Sequence, residues 1–287
     1  MQQAIEHVLQ DILVGQTAGT AIQVTVQRNG QRLADTVCGT SLVTAETPFL
    51  LFSVSKVLTT MAVLHLLDAG SIDLDMPIAE IWPEFRRGGK ASATIRHALM
   101  HQAGIPAPHL YGQLFLWPFW RLVTADVAAT QAVFVPGTQT GYHLVNFGFI
   151  LGEVVRRVSG MPLDRYLEQH FFLPLGMAHT YMRIPRRLVS QSPRLLTTSR
   201  QMRNTAWLFN LPIIRRAFIP AACAHSTARD LATLFQMLVN GGEWNGRRYL
   251  KSETVEMATR SDGDAYDTYV RTHMNWGLGF ILGGGAH

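Results

Sequence analysis

The chain has 287 residues, 47% of them apolar, 16% charged and 9% aromatic, with a formal net charge of +5. These proportions exclude a disordered tail, a collagen-like fibre and a small disulfide scaffold, and the length allows one large core or two intimately packed ones. Two cysteines, Cys38 and Cys223, are too few for a disulfide framework and match no zinc spacing, so they read as buried apolar thiols.

In chain order, residues 3–14 suit an amphipathic helix with Ile5, Val8, Leu9 and Ile12 on one stripe. Two β-rich runs, 20–26 and 32–37, flank Asn29-Gly30, the strongest short signal for a hairpin. From 54 to 69 the pattern is helical and apolar nearly all round, which predicts a buried helix stopped at Gly70. Helices are predicted over 91–100, 147–158, 163–172 and 227–240, and a strand over 276–282. Strands at both ends around a helical middle suggest one sheet built from the two termini with a helical insertion. The expected organisation is a sheet region, 1–75 with 225–287, and a mainly helical region, 76–224.

The N-terminus lacks a basic stretch followed by an apolar one, and no run approaches the roughly 18–20 apolar residues of a spanning helix. A soluble cytoplasmic protein is the resulting expectation. Charge is unevenly placed: residues 169–229 hold nine arginines and no Asp or Glu. Such a stretch could meet anionic lipid or nucleic acid. It matches no nucleic-acid module, so a solvated face with at most weak membrane-surface contact is expected.

Chemistry concentrates at Ser53-Val54-Ser55-Lys56, where the buried helix begins. A Ser and a Lys three apart share one helix face. An ammonium in apolar surroundings loses pKa and can take the proton of a serine hydroxyl. The helix N-terminus adds backbone N–H groups that stabilise an oxyanion. Ser55 is a rival nucleophile on a different face. A second constellation, Pro136 to His143, forms a turn that delivers Tyr142, and a phenol beside an ammonium can lose its proton and act as a base. His97 and His101, four apart, have metal-ligand spacing but lack a third ligand. The aromatic run 110–123 suits an acyl pocket, a surface patch or ordinary core.

Residues 48–76 (PFLLFSVSKVLTTMAVLHLLDAGSIDLDM), 94–106 (TIRHALMHQAGIP) and 134–160 (FVPGTQTGYHLVNFGFILGEVVRRVSG) carry a resemblance, as do LPLGMAHT, IPAACAHSTARDLATLF and WGLGF further on. Together they resemble the penicillin-recognising serine hydrolases, which include class C β-lactamases, DD-peptidases and family VIII carboxylesterases. The resemblance implies an α+β, β-lactamase/transpeptidase-like fold, an antiparallel sheet flanked by helices beside an all-helical region. It implies Ser53 as acylated nucleophile, Lys56 as its proton partner, and Tyr142 as the base that activates the nucleophile or protonates the leaving group. His143 and Leu144 are expected to line the substrate pocket. No metal or cofactor is implied, and the partner is a small ester or lactam, not nucleic acid. Oligomeric state stays open.

Two departures bear on activity. Where β-lactamases of this kind place an Asn two positions after the Tyr, this chain has Leu144, which cannot hydrogen-bond a substrate amide and looks more like the esterase branch. Asn146 does not align with that position. The family's third motif, Lys-Thr-Gly or His-x-Gly after WGLGF, is not found before His287. An apparent C-terminal truncation, and the loss of one oxyanion donor at about 2.7–4 kcal/mol, follow from this reading. The expectation is therefore an ester-cleaving serine hydrolase, with a β-lactamase or DD-peptidase and a catalytically impaired binding scaffold as alternatives.

Overall fold

A computed structural model describes residues 1–16, 19–39, 42–107 and 116–283. Helix α1 (Gln2–Leu13) leads to the hairpin β1 (Ala21–Arg28) and β2 (Gln31–Gly39). Asn29 and Gly30 both take positive φ, at 51° and 77°, as a two-residue hairpin turn requires. Strand β3 (Phe49–Leu50) then delivers the chain to α2 (Ser55–Asp68). The helical middle comprises α3 (Ile78–Ile81), α4 (Ile95–Leu99), α5 (Trp120–Ala129), α6 (Asn146–Ser159), α7 (Leu163–Leu167) and α8 (Leu173–Leu175). It continues through α9 (Arg203–Asn210) and α10 (Pro212–Arg215). Strand β4 (His225–Ser226), α11 (Ala228–Val239), β5 (Glu243–Trp244), β6 (Arg247–Arg248) and α12 (Ser252–Thr259) follow. Last come β7 (Asp264–Asp267), β8 (Thr272–Gly277) and β9 (Phe280–Ile281).

The centre of the core is α2. Leu58, Met61, Ala62, Val63 and Leu64 are wholly buried, and each large apolar side chain so removed from water contributes about 1.5–3 kcal/mol. Helix α6 packs across it, and α7 also touches it. Gly148 lets α6 lie close to the chain beyond α10, since a Cβ there would stand 2.5 Å from the Ala221 nitrogen. Strand β3 pairs with β4, Phe49 opposite Ser226 and Leu50 opposite His225. These two contacts fix residues 220–226 beside the start of α2. The β1–β2 hairpin is packed by α1 on β2 and by α11 on β1. Gln23 ties it down, donating to the Thr44 and Thr47 carbonyls and accepting from the Ala228 N–H.

Several expectations are corrected. Among the described residues the strands of the two termini meet in the short β3–β4 pair and not in one continuous sheet. The strands form four separate antiparallel sheets, and α11 rather than a strand carries the C-terminal half onto β1. The single strand expected over 276–282 is the end of β8, a turn at Leu278 and Gly279, and then β9, because Gly279 takes φ 77° and folds the chain back. The helix over 91–100 shortens to α4, capped by the Thr94 side chain. On α1 the stripe is narrower than its sequence pattern: Leu9 is buried, whereas Val8 and Ile12 stay exposed because the small hairpin covers only one side. No helix among the described residues is long and apolar enough to cross a membrane.

Helix α6 holds a buried charge. Glu153 accepts from Trp120 Nε1 (2.9 Å), twice from Arg156 (2.7 and 2.8 Å) and from Arg157 (2.8 Å). Burial pushes its carboxyl upward, but these donors outweigh it and the net shift is downward. Glu153→Ala should lower unfolding free energy by about 2 kcal/mol, since hydrogen bonds to a charged partner contribute ~1.5–3 kcal/mol. Urea denaturation of the variant checks this.

Candidate active site

The chain enters α2 through a tight turn at Phe52, which takes φ 45°. Left-handed backbone at a bulky aromatic residue is strained, and here it swings Ser53 outward. Ser53 is exposed, whereas Ser55 and Lys56 behind it are buried. The rival hydroxyl of Ser55 accepts from the Ala224 N–H at 3.1 Å and serves to hold the β4 approach.

Lys56 is 4% exposed. Its Nζ stands 2.8 Å from the Leu144 carbonyl, 3.3 Å from the Ala221 carbonyl and 3.3 Å from Ser53 Oγ. It also lies 4.6 Å from the centre of the Tyr142 ring. None of these neighbours is a carboxylate, and burial lowers its pKa from 10.5 to about 7. The Tyr142 hydroxyl donates to Ser53 Oγ at 2.6 Å. Ser53, Lys56 and Tyr142, expected together from the sequence, thus meet at one oxygen.

The sequence leaves Tyr142 two roles, base or proton donor to the leaving group, and its surroundings bear on the choice. Burial pushes Tyr142 above 10, the hydrogen bond with Ser53 pulls the other way, and the charge of Asp267 adds to the rise. Tyr142 is therefore a neutral donor around pH 7, and the amine is the group whose proton affinity burial has weakened.

Tyr142 is held by four consecutive N–H groups. Gly141 donates to the His101 carbonyl (2.9 Å), Tyr142 to Asp267 Oδ1 (3.1 Å), His143 to His101 Nδ1 (2.9 Å) and Leu144 to the Pro106 carbonyl (3.1 Å). His101 and Trp276 lie against the phenol ring, at 4.7 and 6.0 Å between centroids. Sequence reasoning missed Asp267 and Trp276 in this role, and it set aside metal binding by His97 and His101 for want of a third ligand. His97 in fact accepts the Thr94 N–H and closes the cap of α4. His143 lies behind the site and not in its pocket. It is wholly buried, its Nδ1 donates to the Gly141 carbonyl (2.6 Å), and its Nε2 accepts from Ile105 (3.2 Å). Burial lowers its pKa to about 4, the Gly141 hydrogen bond opposing and the Lys56 charge assisting. Asn146 likewise donates inward, to the Ile105 carbonyl.

Asp267 reaches the site from a separate ladder. Its Oδ1 also accepts from Tyr269 and Val270, and its side chain is wholly buried. Asp267→Ala should lower kcat on the order of tenfold or more by letting the phenol drift, since small misplacements in a site are costly. Asp267→Asn, which keeps an accepting oxygen, should restore most of it. A purely structural loss would instead appear as unfolding in both variants.

Beside Ser53 opens a cavity of about 670 Å³. Its walls include Phe52, Trp117, Leu144, Met202, Trp207 and Phe209, with Asn204 and Thr205 as polar groups. Of the expected pocket residues, Leu144 lines this cavity and His143 does not. The aromatic run 110–123 lies partly outside the described residues, but Trp117 within it is a cavity wall and Phe119 and Leu122 are exposed.

A Ser and a Lys one turn apart at the head of a buried helix, met by a tyrosine from a loop, sit here on a β-lactamase/transpeptidase-like fold. Solved structures with this fold include the following two. A family VIII carboxylesterase is 28% identical, covering 98% of this chain and 80% of its own, with TM-score 0.86. A penicillin-binding protein homologue from Caulobacter crescentus is 26% identical over 97% of this chain and 80% of its own, with TM-score 0.84. The Beta-lactamase family model matches residues 2–286, and the chain belongs to that family. Among curated relatives, the esterase/β-lactamase LipL of Mycobacterium tuberculosis is 28% identical over 270 residues, 82% of this chain. The chain spans 57% to 61% of the length of the curated relatives it matches.

Proposed function

We propose that the protein is a serine hydrolase that cleaves carboxylic esters with apolar acyl groups through an acyl-enzyme on Ser53. The observation that carries this reading is the set of contacts at Lys56 Nζ. Two of its three oxygen neighbours are carbonyls, which only accept. A neutral amine gives its two N–H groups to those carbonyls and turns its lone pair to the third neighbour, Ser53 Oγ. Ser53 can then donate its proton to Lys56 while accepting the hydrogen bond of Tyr142. Every donor in this arrangement has an acceptor.

The reaction follows from that arrangement. As Oγ attacks the ester carbonyl, its proton passes to Lys56, and the new ammonium lies over the Tyr142 ring, where its charge is favoured. Backbone N–H groups of the kind a helix head offers would stabilise the developing oxyanion. When the carbon–oxygen bond breaks, Tyr142 gives its proton to the leaving alkoxide and the Lys56 proton makes good the loss. Water then attacks the acyl carbonyl, its proton is taken up by the same pair, and Ser53 is released as the alcohol.

Esters are favoured over amides because the side chain two positions after Tyr142 is the apolar Leu144, which offers a substrate amide nothing to bond. The apolar cavity beside Ser53 favours an acyl chain of several carbons. The test is a series of nitrophenyl esters of increasing acyl length beside a chromogenic cephalosporin. Rising kcat/KM from acetate to hexanoate, with cephalosporin turnover far lower, supports the reading. Faster cephalosporin turnover would replace it with a lactamase.

A further inference from the structure

We propose that the arginine-rich face around α9 and α10 docks the protein on an anionic lipid surface, with Met202 and Trp207 inserting at the mouth of the Ser53 cavity. This inference concerns binding and holds whether or not the ester chemistry above is correct.

Four observations converge. The first is charge: residues 169–229 carry nine arginines and no Asp or Glu, in a chain whose net charge is only +5. The second is placement. Arg215 is buried and spends its guanidinium on the Ser192 and Pro193 carbonyls, but Arg183, Arg186, Arg187, Arg194, Arg200, Arg203 and Arg216 are all exposed. Carboxylates of Asp164 and Glu168 border only the end of this face near Arg183 and Arg187.

The third observation is that large apolar side chains are exposed among these arginines. Trp207 is 65% exposed, and Leu196, Met202 and Ile213 are also about half open to water. A shallow hollow brings Arg186, Arg194 and Arg216 around Trp207 and Ile213. Only Trp207 among them offers a flat surface on which a nucleic-acid base could stack, and a run of such platforms is what single-strand binding uses, whereas Leu196, Met202 and Ile213 are aliphatic. Together these side chains fit a bilayer surface, where indole sits at the headgroup level and arginine stems lie along acyl chains while their heads meet phosphate.

The fourth is continuity with the cavity. Met202 and Trp207 belong both to this face and to the wall of the pocket that opens at Ser53. A lipid surface on this side would therefore lie against the cavity mouth. An apolar acyl chain could pass from the bilayer into the pocket without crossing bulk water.

The test uses the full chain as Ser53→Ala, so that catalysis plays no part, in flotation with vesicles of phosphatidylcholine with and without phosphatidylglycerol. Binding should be about tenfold or more tighter to the anionic vesicles, and weaken steeply with salt. Arg186→Glu combined with Arg194→Glu and Arg216→Glu should abolish it. Trp207→Ala should weaken it about tenfold while the thermal melt is unchanged. Tryptophan fluorescence should shift to the blue on binding, less so in Trp207→Phe. Equal affinity for neutral and anionic vesicles, no flotation at all, or charge-dependent binding to tRNA with none to vesicles would each overturn the proposal. Inhibition of flotation by free glycerol phosphate at low concentration would also overturn it, because the headgroup alone would then be the ligand.

Discussion

Ser53→Ala protein should fold normally and lose ester turnover by on the order of 10⁵-fold, the scale seen when a serine nucleophile acting as part of a unit is removed. The loss should fall on kcat more than on KM, because the hydroxyl contributes to bond formation while the apolar cavity does the binding. Its fold is insulated from the change. Ser53 is exposed, and the strands that fix the head of α2 pair through Phe49 and Leu50, not through Ser53. A variant that retained a tenth of the activity would move the nucleophile elsewhere. Ser55 is a poor second choice, since its hydroxyl is buried against the Ala224 N–H.

Lys56→Met should lower kcat/KM by about 10³-fold, within the range that a positioned proton acceptor contributes, and should also change the pH profile. In the native protein burial brings the Lys56 pKa down to about 7. The unprotonated amine is the working form, so activity rises as pH increases through about 7 and levels off above it. Below that pH it falls tenfold for each unit, as the protonated fraction takes over. Methionine nearly matches the lysine stem in volume, so the core around α2 stays filled. Its residual activity should lack the inflection near 7. An inflection that persists in Lys56→Met would assign the titration to another group. His143 and His101 are poor candidates for that group, since burial first, and then nearby positive charge, keeps both imidazoles neutral.

Much of the site could be read from the chain because its parts are local. Ser53 and Lys56 are three residues apart on one helix, so spacing alone puts them on one face. The helix pattern around them predicted burial, and burial is what lowers the amine's pKa. The hairpin at Asn29-Gly30 was legible for a similar reason: two left-handed residues in succession leave few other structures.

What the sequence hid is long-range. Asp267 lies 125 residues from the Tyr142 N–H that it accepts, and nothing around Asp-Thr-Tyr marks it. Of the two roles open to Tyr142, base or proton donor to the leaving group, proximity to an ammonium alone does not choose, whereas burial, the larger influence on the phenol, favours the donor. The sequence offers no sign that His143 turns away from the pocket. A loop that alternates its side chains sends the next residue inward, and His143 ends between Gly141 and Ile105. Of the one sheet expected from both termini, the structure has the short β3–β4 pair, and the other strands pair locally. Strand count predicts that ladders exist, but their partners are chosen by helices such as α11, which occupies the face of β1.

The most direct measurement is the rate at which a fluorophosphonate ester probe labels the protein, followed from pH 5.5 to 9 with the modified residue located by peptide mass spectrometry. The label should fall on Ser53, and its rate should climb through about pH 7 and reach a plateau. A label on any other residue, or a Ser53 rate that is flat across that range, would contradict a nucleophile activated by the neutral amine of Lys56.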